Sequence, residues 1–281
     1  MATTHIKLEM PTRQKWLLLG IVVGSLVVMA FYTVTDAAHL ASSQVLDGAD
    51  WMGYALCHRI TERSFAIYGR QLPLCARCTG MYLGVFVAGV VLWLTGKLRH
   101  ADLPPLPALL VLMGFIGIMG IDGVNSYSHF FPQLPHLYEP RNWLRLLTGM
   151  GTGLAMGVMV APALAQTLWA VPRYQPVVET WPEFLRLVAA GGTAVILVLS
   201  NQPALLYVLA LASVAGQLLV VAALNTVVFL MILRRDGRAV RWRETAVPLL
   251  IGLALAIIEL SLISLFRFNL TGGIMAGFPG L

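Results

Sequence analysis

The stretch that decides the fold runs from Cys57 to Gly84 and reads CHRITERSFAIYGRQLPLCARCTGMYLG. It contains all three cysteines of the chain, Cys57, Cys75 and Cys78, and one of its six histidines, His58. This polar, cysteine-bearing segment continues directly into an apolar stretch with the length of a membrane-spanning helix. The sequence therefore predicts a small polar head seated on a hydrophobic helical body.

The composition excludes a soluble globular protein. Of the 281 residues, 58% are hydrophobic and 11% are charged, whereas soluble domains carry about 25% charged residues. Because charged side chains are costly in lipid, this deficit predicts that the lipid bilayer is the partner of most of the surface. The net charge of +6 indicates basic loops that set the orientation in the membrane and does not indicate nucleic-acid binding.

Seven stretches are apolar and long enough to cross a bilayer, which takes about 20 residues per helix. They cover residues 16–35, 79–96, 106–124, 143–167, 184–200, 204–233 and 246–267. The first stretch is too long and too far from the N-terminus for a cleaved signal peptide, so it predicts a retained anchor. The predicted fold class is an all-α polytopic transmembrane helix bundle of about seven spans, with a small Cys/His-containing extramembrane hairpin.

Basic residues set the predicted orientation, because Lys and Arg accumulate on the cytoplasmic side of membrane proteins. A cytoplasmic N-terminus places twelve basic residues inside and seven outside. This predicts a multi-pass protein of the cell membrane with the Cys/His head on the outer face. We divide the chain into an N-terminal tail with the first span (1–35), a core with three spans (36–167) and a C-terminal transmembrane half (168–281).

Two short elements are predicted between the first and second spans. Apolar residues from Val45 to Leu56 fit a helix in the membrane interface, with Trp51 and Tyr54 at headgroup depth. Alternating apolar residues on both sides of a turn at residues 68–71 then predict a short hairpin. This hairpin would deliver the Cys-x-x-Cys motif to the start of the second span.

Rows of glycine mark spans two, three and four. The rows are Gly80 and Gly84; Gly114, Gly117, Gly120 and Gly123; and Gly149, Gly153 and Gly157. Small residues at such spacing let helix backbones approach closely in lipid. We therefore expect spans two to four to form a tight inner bundle, with the later spans around it.

Three cysteines and one histidine form the donor set of a tetrahedral metal site, for which zinc is the default ion. The predicted ligands are Cys57, His58, Cys75 and Cys78, and the predicted cofactor is zinc or another transition metal. Because neighbours on a helix point about 100° apart, Cys57 and His58 would both ligate only from a loop. Two alternatives stay open. Cys75 and Cys78 would form a redox-active dithiol beside Arg77 at a helix N-terminus, or the three cysteines are small packed residues.

A second polar group joins the end of span three to the start of span four. Asp122 and Asn125 belong to the former, and Arg141, Arg145 and Thr148 would share one face of the latter. One interpretation is an Asp122–Arg145 ion pair that locks two helices together. The alternative is an enzyme or transporter for an anionic lipid headgroup or metabolite, with Asp122 and Arg145 catalytic. Guanidinium, amide and hydroxyl groups recognise such anions, and the candidates are Arg63, Arg77, Asn125, Arg141, Asn142 and Thr148, with Arg59 beside them.

The sequence around the other polar residues gives less indication of a function. Asn225 in span six and Glu259 in span seven predict a hydrogen bond between helices, with a proton relay as the alternative. His129 and His136 lie in the loop after span three, where they would be solvated or would supply a fourth metal ligand in place of His58. The sequence does not indicate which oligomeric state the protein adopts.

The chain resembles the predicted integral membrane family known as domain of unknown function 2085. The resemblance covers about residues 50–160 and implies a shared core of spans two to four, with no assigned activity. Two departures concern the loop after span three, which is longer at 126–140 and has Val124 to Tyr127 where the family usually has Thr or Gln. The residues that carry the resemblance are Cys57, His58, Arg59, Arg63, Gly69, Gln71, Pro73, Cys75, Arg77, Cys78, Gly80, Tyr82, Gly84, Asp122, Gly123, Asn142, Arg145, Thr148 and Gly149.

Overall fold

The computed structural model of the protein describes residues 43–129, 131, 133, 136–273 and 275. Within this part of the chain a first helix, α1 (Gln44–Leu56), precedes six helices that are long and apolar enough to cross a membrane. These six are α2 (Ala76–Leu94), α3 (Leu106–Ser128), α4 (Asn142–Leu168), α5 (Trp181–Leu199), α6 (Pro203–Ile232) and α7 (Trp242–Leu270).

Each of the six long helices coincides with a predicted span, so the all-α multi-span fold is confirmed. The first predicted span, residues 16–35, lies outside the described residues. Helices suit these stretches because they satisfy every backbone N–H and C=O internally, which lipid cannot do. The chain is therefore a membrane protein built on apolar helices.

Glycine and proline set several helix boundaries. α2 ends at Leu94 because Gly96 adopts a φ of 74°, a left-handed conformation that glycine adopts without strain. The N–H of Lys97 then donates to the carbonyl of Leu92 at 2.8 Å and closes the helix. Helices α3, α5 and α6 each carry proline in the first two helical positions, where its missing N–H costs no intrahelical bond.

A hairpin connects α1 to α2. Strands β1 (Ala66–Ile67) and β2 (Arg70–Gln71) pair antiparallel, after a single 3₁₀ turn at Thr61–Arg63. The two turn residues, Tyr68 and Gly69, have φ values of 48° and 82°, as the tightest hairpin turns require. The predicted hairpin is confirmed, and it leads into Cys75 at the start of α2. We call the side of the bundle where α2 begins the thiol side.

Helix α1 is confirmed, but it docks on the bundle instead of presenting Tyr54 to headgroups. Tyr54 is fully buried. Side chains of α6 and α7 reach the backbone of α1, with Gln217 Nε2 donating to the Met52 carbonyl at 2.9 Å and Ser264 Oγ to the Trp51 carbonyl at 2.6 Å. These bonds hold one face of α1 against the protein, which is why Tyr54 lies inside.

Helices α2 and α4 pack backbone to backbone through their glycines. A Cβ atom added at Gly84 would lie 2.6 Å from the carbonyl oxygen of Met150. Cβ atoms at Gly80, Gly149 and Gly153 would overlap the opposing backbone outright. The predicted close approach of spans two and four is therefore correct.

The third member of this tight core is α6, so the prediction that α3 completes it was wrong. Gly114, Gly117 and Gly120 of α3 have open space beside them, whereas Gly216 of α6 packs onto the Tyr82 carbonyl of α2. A row of small residues permits a close approach but does not identify the neighbour. Helix α3 packs on α4 at the edge of the bundle.

The opposite side of the bundle carries a feature that the sequence did not predict. Strand β3 (His100–Asp102), after α2, pairs in parallel with β4 (Arg173–Pro176), after α4. On the outer surface of α6 and α7, Asn225 Nδ2 donates to Glu259 Oε2 at 3.0 Å, as predicted for a bond between these two helices.

Candidate metal centre and arginine cluster

The three cysteines meet on the thiol side. Their sulfur atoms all lie within 4.8 Å of one another, and each is a free thiol. Cys57 caps the end of α1, Cys75 caps the start of α2, and Cys78 lies in the first turn of α2. Cys57 is fully buried and the other two are half-buried. Two chain segments thus converge on one sulfur cluster.

Close packing brings the end of α1 to the start of α2. A Cβ atom at Gly53 would lie 2.5 Å from the carbonyl oxygen of Pro73, so only glycine allows this approach. From α7, Arg267 Nη1 donates to the carbonyl of Cys57 at 2.9 Å and also to the carbonyl of Tyr54. The backbone of Cys57 is thereby held on two sides.

Hydrogen bonds within the cluster polarise the thiols. The backbone N–H of Cys75 donates to Cys57 Sγ at 3.1 Å. Its hydrogen bond with Cys75 is the main cause that raises the pKa of the Cys57 thiol to about 12. The hydrogen bond with Cys57, followed by that with Cys78, lowers the pKa of the Cys75 thiol, and the positive charge of Arg77 acts in the same direction. Cys75 is therefore the most acidic of the three thiols.

None of the described histidines contributes a ligand atom to the sulfur cluster. His58 is exposed, and among the described residues the group of converging ligand atoms consists of the three sulfurs. His58 as a fourth ligand stays a prediction. His129 and His136 stack on each other with ring centroids 3.9 Å apart, and His129 Nδ1 contacts the Asn125 carbonyl at 2.8 Å.

Next to the thiols, Asp122 pairs with Arg77 and not with Arg145. The Asp122 carboxylate is 1% exposed, and Arg77 donates to its Oδ2 from Nε at 3.0 Å and again from Nη2. Tyr138 Oη donates to Oδ1 at 2.8 Å. Burial and this bond raise the pKa of Tyr138 to about 12. The expected Asp122–Arg145 ion pair was wrong, because the first turn of α2 brings Arg77 to the carboxylate.

Three guanidinium groups converge on Ser126, which is 1% exposed. Arg77 Nη2 and Arg145 Nε donate to its Oγ at 3.0 and 3.4 Å, and Arg63 Nη2 donates to its carbonyl at 3.3 Å. Burial, and then the positive charge of Arg77, lower the pKa of Arg63. We call Arg63, Arg77 and Arg145 the arginine cluster. Sequence reasoning included all three among its candidates.

The remaining candidate residues have local roles. Asn142 accepts from Arg145 Nη1 at 2.9 Å and donates to the Glu62 carbonyl at 3.1 Å, which ties α4 to the head. Asn125 binds the backbone of Leu137 and Tyr138, at 2.8 Å each.

Three more candidates stand outside the arginine cluster. Thr148 Oγ1 donates to the carbonyl of Arg145, one turn earlier in the same helix. Arg141, at the start of α4, is exposed. Arg59, which was grouped with the anion-binding arginines, is buried and pairs with Asp50 at 3.1 Å.

Sequence reasoning missed Ser126, Tyr138 and Arg267 as members of the site. Ser126 lies four residues after Asp122, and this spacing places both on one helical face, so its proximity could have been inferred. Arg267 lies in the last turn of α7, and its contact with the head links residues more than 200 positions apart. No local signal in the sequence indicates such a contact.

Comparison with known proteins places this site within a family segment. The family model described as "Predicted membrane protein (DUF2085)" matches residues 57–159. An uncharacterized protein of Methanothermobacter thermautotrophicus is 36% identical over 104 residues, which is 37% of this chain and 83% of that protein. An uncharacterized protein of Methanocaldococcus jannaschii is 30% identical over 114 residues, covering 41% of this chain and 67% of the other. No solved structure matches the chain.

The matched segment contains both the sulfur cluster and the arginine cluster. It also contains α2 and α3 and most of α4. The relatives are themselves uncharacterized and bring no activity to this chain. On the extent of these matches, the chain belongs to the DUF2085 family of predicted membrane proteins.

Proposed function

We propose that this chain is a multi-pass membrane metalloprotein in which Cys57, Cys75 and Cys78 bind a thiophilic metal ion, with zinc as the first choice. The observation that carries the proposal is the convergence of three sulfurs within 4.8 Å. Zinc–sulfur bonds of about 2.3 Å put tetrahedral sulfur ligands roughly 3.8 Å apart. The cluster therefore fits such an ion with small side-chain movements.

The surroundings of the sulfurs support metal binding. The backbone N–H of Cys75 donates to Cys57 Sγ, and thiolates at metal sites are favoured by such donors. Cys75 and Cys78 lie at the start of α2, where the helix dipole favours negative charge. When bound, zinc would act as a fixed cross-link between α1 and α2, or as a Lewis acid if its fourth position is open.

The fourth ligand decides between these two roles. Four protein ligands are typical of structural zinc, and three with an open position are typical of catalytic zinc. His58 is adjacent to Cys57 in sequence and exposed. We propose that the three cysteines bind the metal ion, and we treat His58 as a possible fourth ligand that the following experiment tests.

Metal analysis of detergent-purified protein tests the proposal. We expect about one metal ion per chain in the wild type, loss of most of it in Cys57→Ser, and retention in His58→Ala. Loss in both variants would establish His58 as a fourth ligand. A wild-type protein without metal, when purified in metal-replete buffer without chelators, would overturn the proposal.

A thiol–disulfide oxidoreductase is the second candidate, because hydrogen bonds with Cys57 and Cys78 lower the pKa of Cys75, which lies at the start of α2. Low-pKa thiols in Cys-x-x-Cys motifs exchange readily with disulfides. This candidate predicts a metal-free protein whose Cys75 and Cys78 cycle between dithiol and disulfide. Thiol titration after equilibration in glutathione redox buffers, together with the metal analysis, separates the two candidates.

We further propose that the thiol side faces outward and the N-terminus lies in the cytoplasm, as the distribution of basic residues favours. The loop between α6 and α7 supports this, since it carries Arg234, Arg235, Arg238 and Arg241 on the side opposite to the thiols.

A further inference from the structure

We propose that Arg63, Arg77 and Arg145, converging on Ser126, form a binding site for a phosphate group. This site is distinct from the sulfur cluster beside it and does not depend on whether that cluster holds a metal. Its elements are a 3₁₀ turn of the head and the first turns of α2 and α4, so three separate segments bring positive charge to one point.

Charge balance is the first support. Arg77 bonds the carboxylate of Asp122, and Glu62 is an exposed acidic neighbour of Arg63. Arg145 is the buried member of the cluster, and its bonded partners Ser126 and Asn142 are neutral. A buried positive charge is costly unless an anion offsets it.

The bonds of Arg145 are the second support. This side chain is 6% exposed, and within the described part of the chain it donates to neutral oxygens of Ser126 and Asn142. The bond to Ser126 is long at 3.4 Å. Guanidinium has five N–H donors, so Arg145 can donate further hydrogen bonds to an anion.

The number of guanidinium groups favours phosphate over carboxylate. A carboxylate has two oxygens and is matched by one bidentate arginine, whereas a phosphate offers more oxygens and up to about two negative charges. Arginine is the side chain best suited to such planar, bidentate contacts. Arg77 and Arg63 are partly exposed, so an incoming anion has access.

The phosphate has two sources that the site chemistry does not separate, a soluble phosphate compound and a lipid headgroup. The residues that follow Ser126 and Asn142 in sequence carry exposed aromatic side chains, with Tyr127 63% and Trp143 47% exposed. Such residues are typical of the headgroup region of membrane proteins. We therefore place the arginine cluster at the depth of phospholipid headgroups.

The test uses delipidated protein in a non-ionic detergent and two probes. Inorganic phosphate is titrated by isothermal calorimetry, and phosphatidic acid is offered against phosphatidylcholine in mixed micelles, with bound lipid counted by native mass spectrometry. Saturable binding of phosphate assigns the soluble source, and selective retention of phosphatidic acid assigns the lipid source. Either result supports the site, and neither binding to the wild type overturns it.

Variants assign the binding to the cluster. We expect Arg145→Gln to weaken binding of the effective probe by about tenfold or more, because charge-assisted bonds to a phosphate are lost. Arg63→Gln, which alters a less buried side chain, should weaken it in the same direction. The matched control is Arg141→Gln, one turn before Arg145 and exposed, which should bind within about twofold of the wild type.

Metal content measured on the same samples separates this proposal from that of the metal centre. We expect Arg145→Gln to keep the metal content of the wild type while losing the anion. Wild-type binding by both Arg145→Gln and Arg63→Gln would overturn the assignment. So would an equal loss in Arg141→Gln, which would indicate general surface charge.

Discussion

Arg267 shows how much of the thiol side depends on a single side chain. It donates to the carbonyls of Tyr54 and Cys57 at the end of α1, and its guanidinium lies 4.3 Å from the centroid of the Tyr54 ring. A cation at a helix C-terminus is favoured by the exposed carbonyls there. This residue lies outside the matched family segment, so the C-terminal half of this chain supports the head of the family core.

We predict that Arg267→Gln weakens metal retention without removing the ligands. The shorter, neutral side chain loses the contacts that hold the backbone of Cys57, and partners that orient a ligand typically contribute about 10–100-fold to metal affinity. Competition with a chelator, followed by metal analysis, measures the change. Arg238→Gln, an exposed arginine on the opposite side, is the control. Equal retention in both variants would show that Cys57 is positioned without Arg267.

At this scale the sequence predicted which residues gather but not how they pair. Three cysteines within 22 positions, two of them spaced for one helix turn, predicted a cluster, and the sulfurs do converge. The partner of Asp122 was assigned wrongly, because Arg77 and Arg145 both reach the end of α3. The choice between them depends on side-chain directions, which sequence spacing does not contain.

At the scale of elements, the pairing of α2 with α4 positions both clusters. Gly149 packs against the carbonyl of Arg77, and Gly80 against that of Leu146. Arg77 and Arg145 thus stand on two helices that are locked together within one turn of these contacts. The glycine rows serve the site as well as the stability of the bundle.

We predict that Gly153→Ala destabilises the protein by about 1–3 kcal/mol or more, the range for overpacking. The new methyl group would overlap the Met81 carbonyl, which is backbone and cannot rotate away. The melting temperature in detergent is the readout. Gly117→Ala on α3 is the matched control, since its methyl group meets open space and alanine favours the helix.

A melting temperature that falls equally in both glycine variants would contradict this account of packing.

The packing of the helices could be predicted only in part from the sequence. The length of the apolar stretches predicted six helices correctly. Glycine spacing also predicted the α2–α4 contact. It could not predict whether α3 or α6 packs against α2, because both helices carry small residues. Their positions depend on the three-dimensional course of the loops.

At the scale of the whole molecule, the basic residues lie on two opposite sides of the bundle and differ in their exposure and their partners. Arginines of the loop after α6 lie on the side opposite to the thiols and are exposed. Those of the thiol side are largely engaged, with Arg59 and Arg70 bonded to acidic residues of α1 and Arg77 to Asp122. Structural pairing therefore explains Arg59, Arg70 and Arg77, three of the arginines that run against the orientation rule.

We predict that the thiol side faces the exterior. Ala66→Cys, on the exposed hairpin, should react with a membrane-impermeant maleimide in intact cells, and Asp236→Cys should react only after permeabilisation. Both positions are exposed. The wild type, whose cysteines are buried or half-buried, supplies the background. The reverse pattern of labelling would contradict the proposed orientation and leave the bundle itself unaffected.

The central claim is that three cysteines from two segments hold one metal ion at the thiol side. X-ray absorption spectroscopy at the metal edge of the purified wild-type protein tests it most directly. We predict a shell of about three sulfur atoms at about 2.3 Å, with the fourth position occupied by a nitrogen or oxygen atom. Bound metal with a shell of nitrogen and oxygen alone, or protein without metal, would contradict the account.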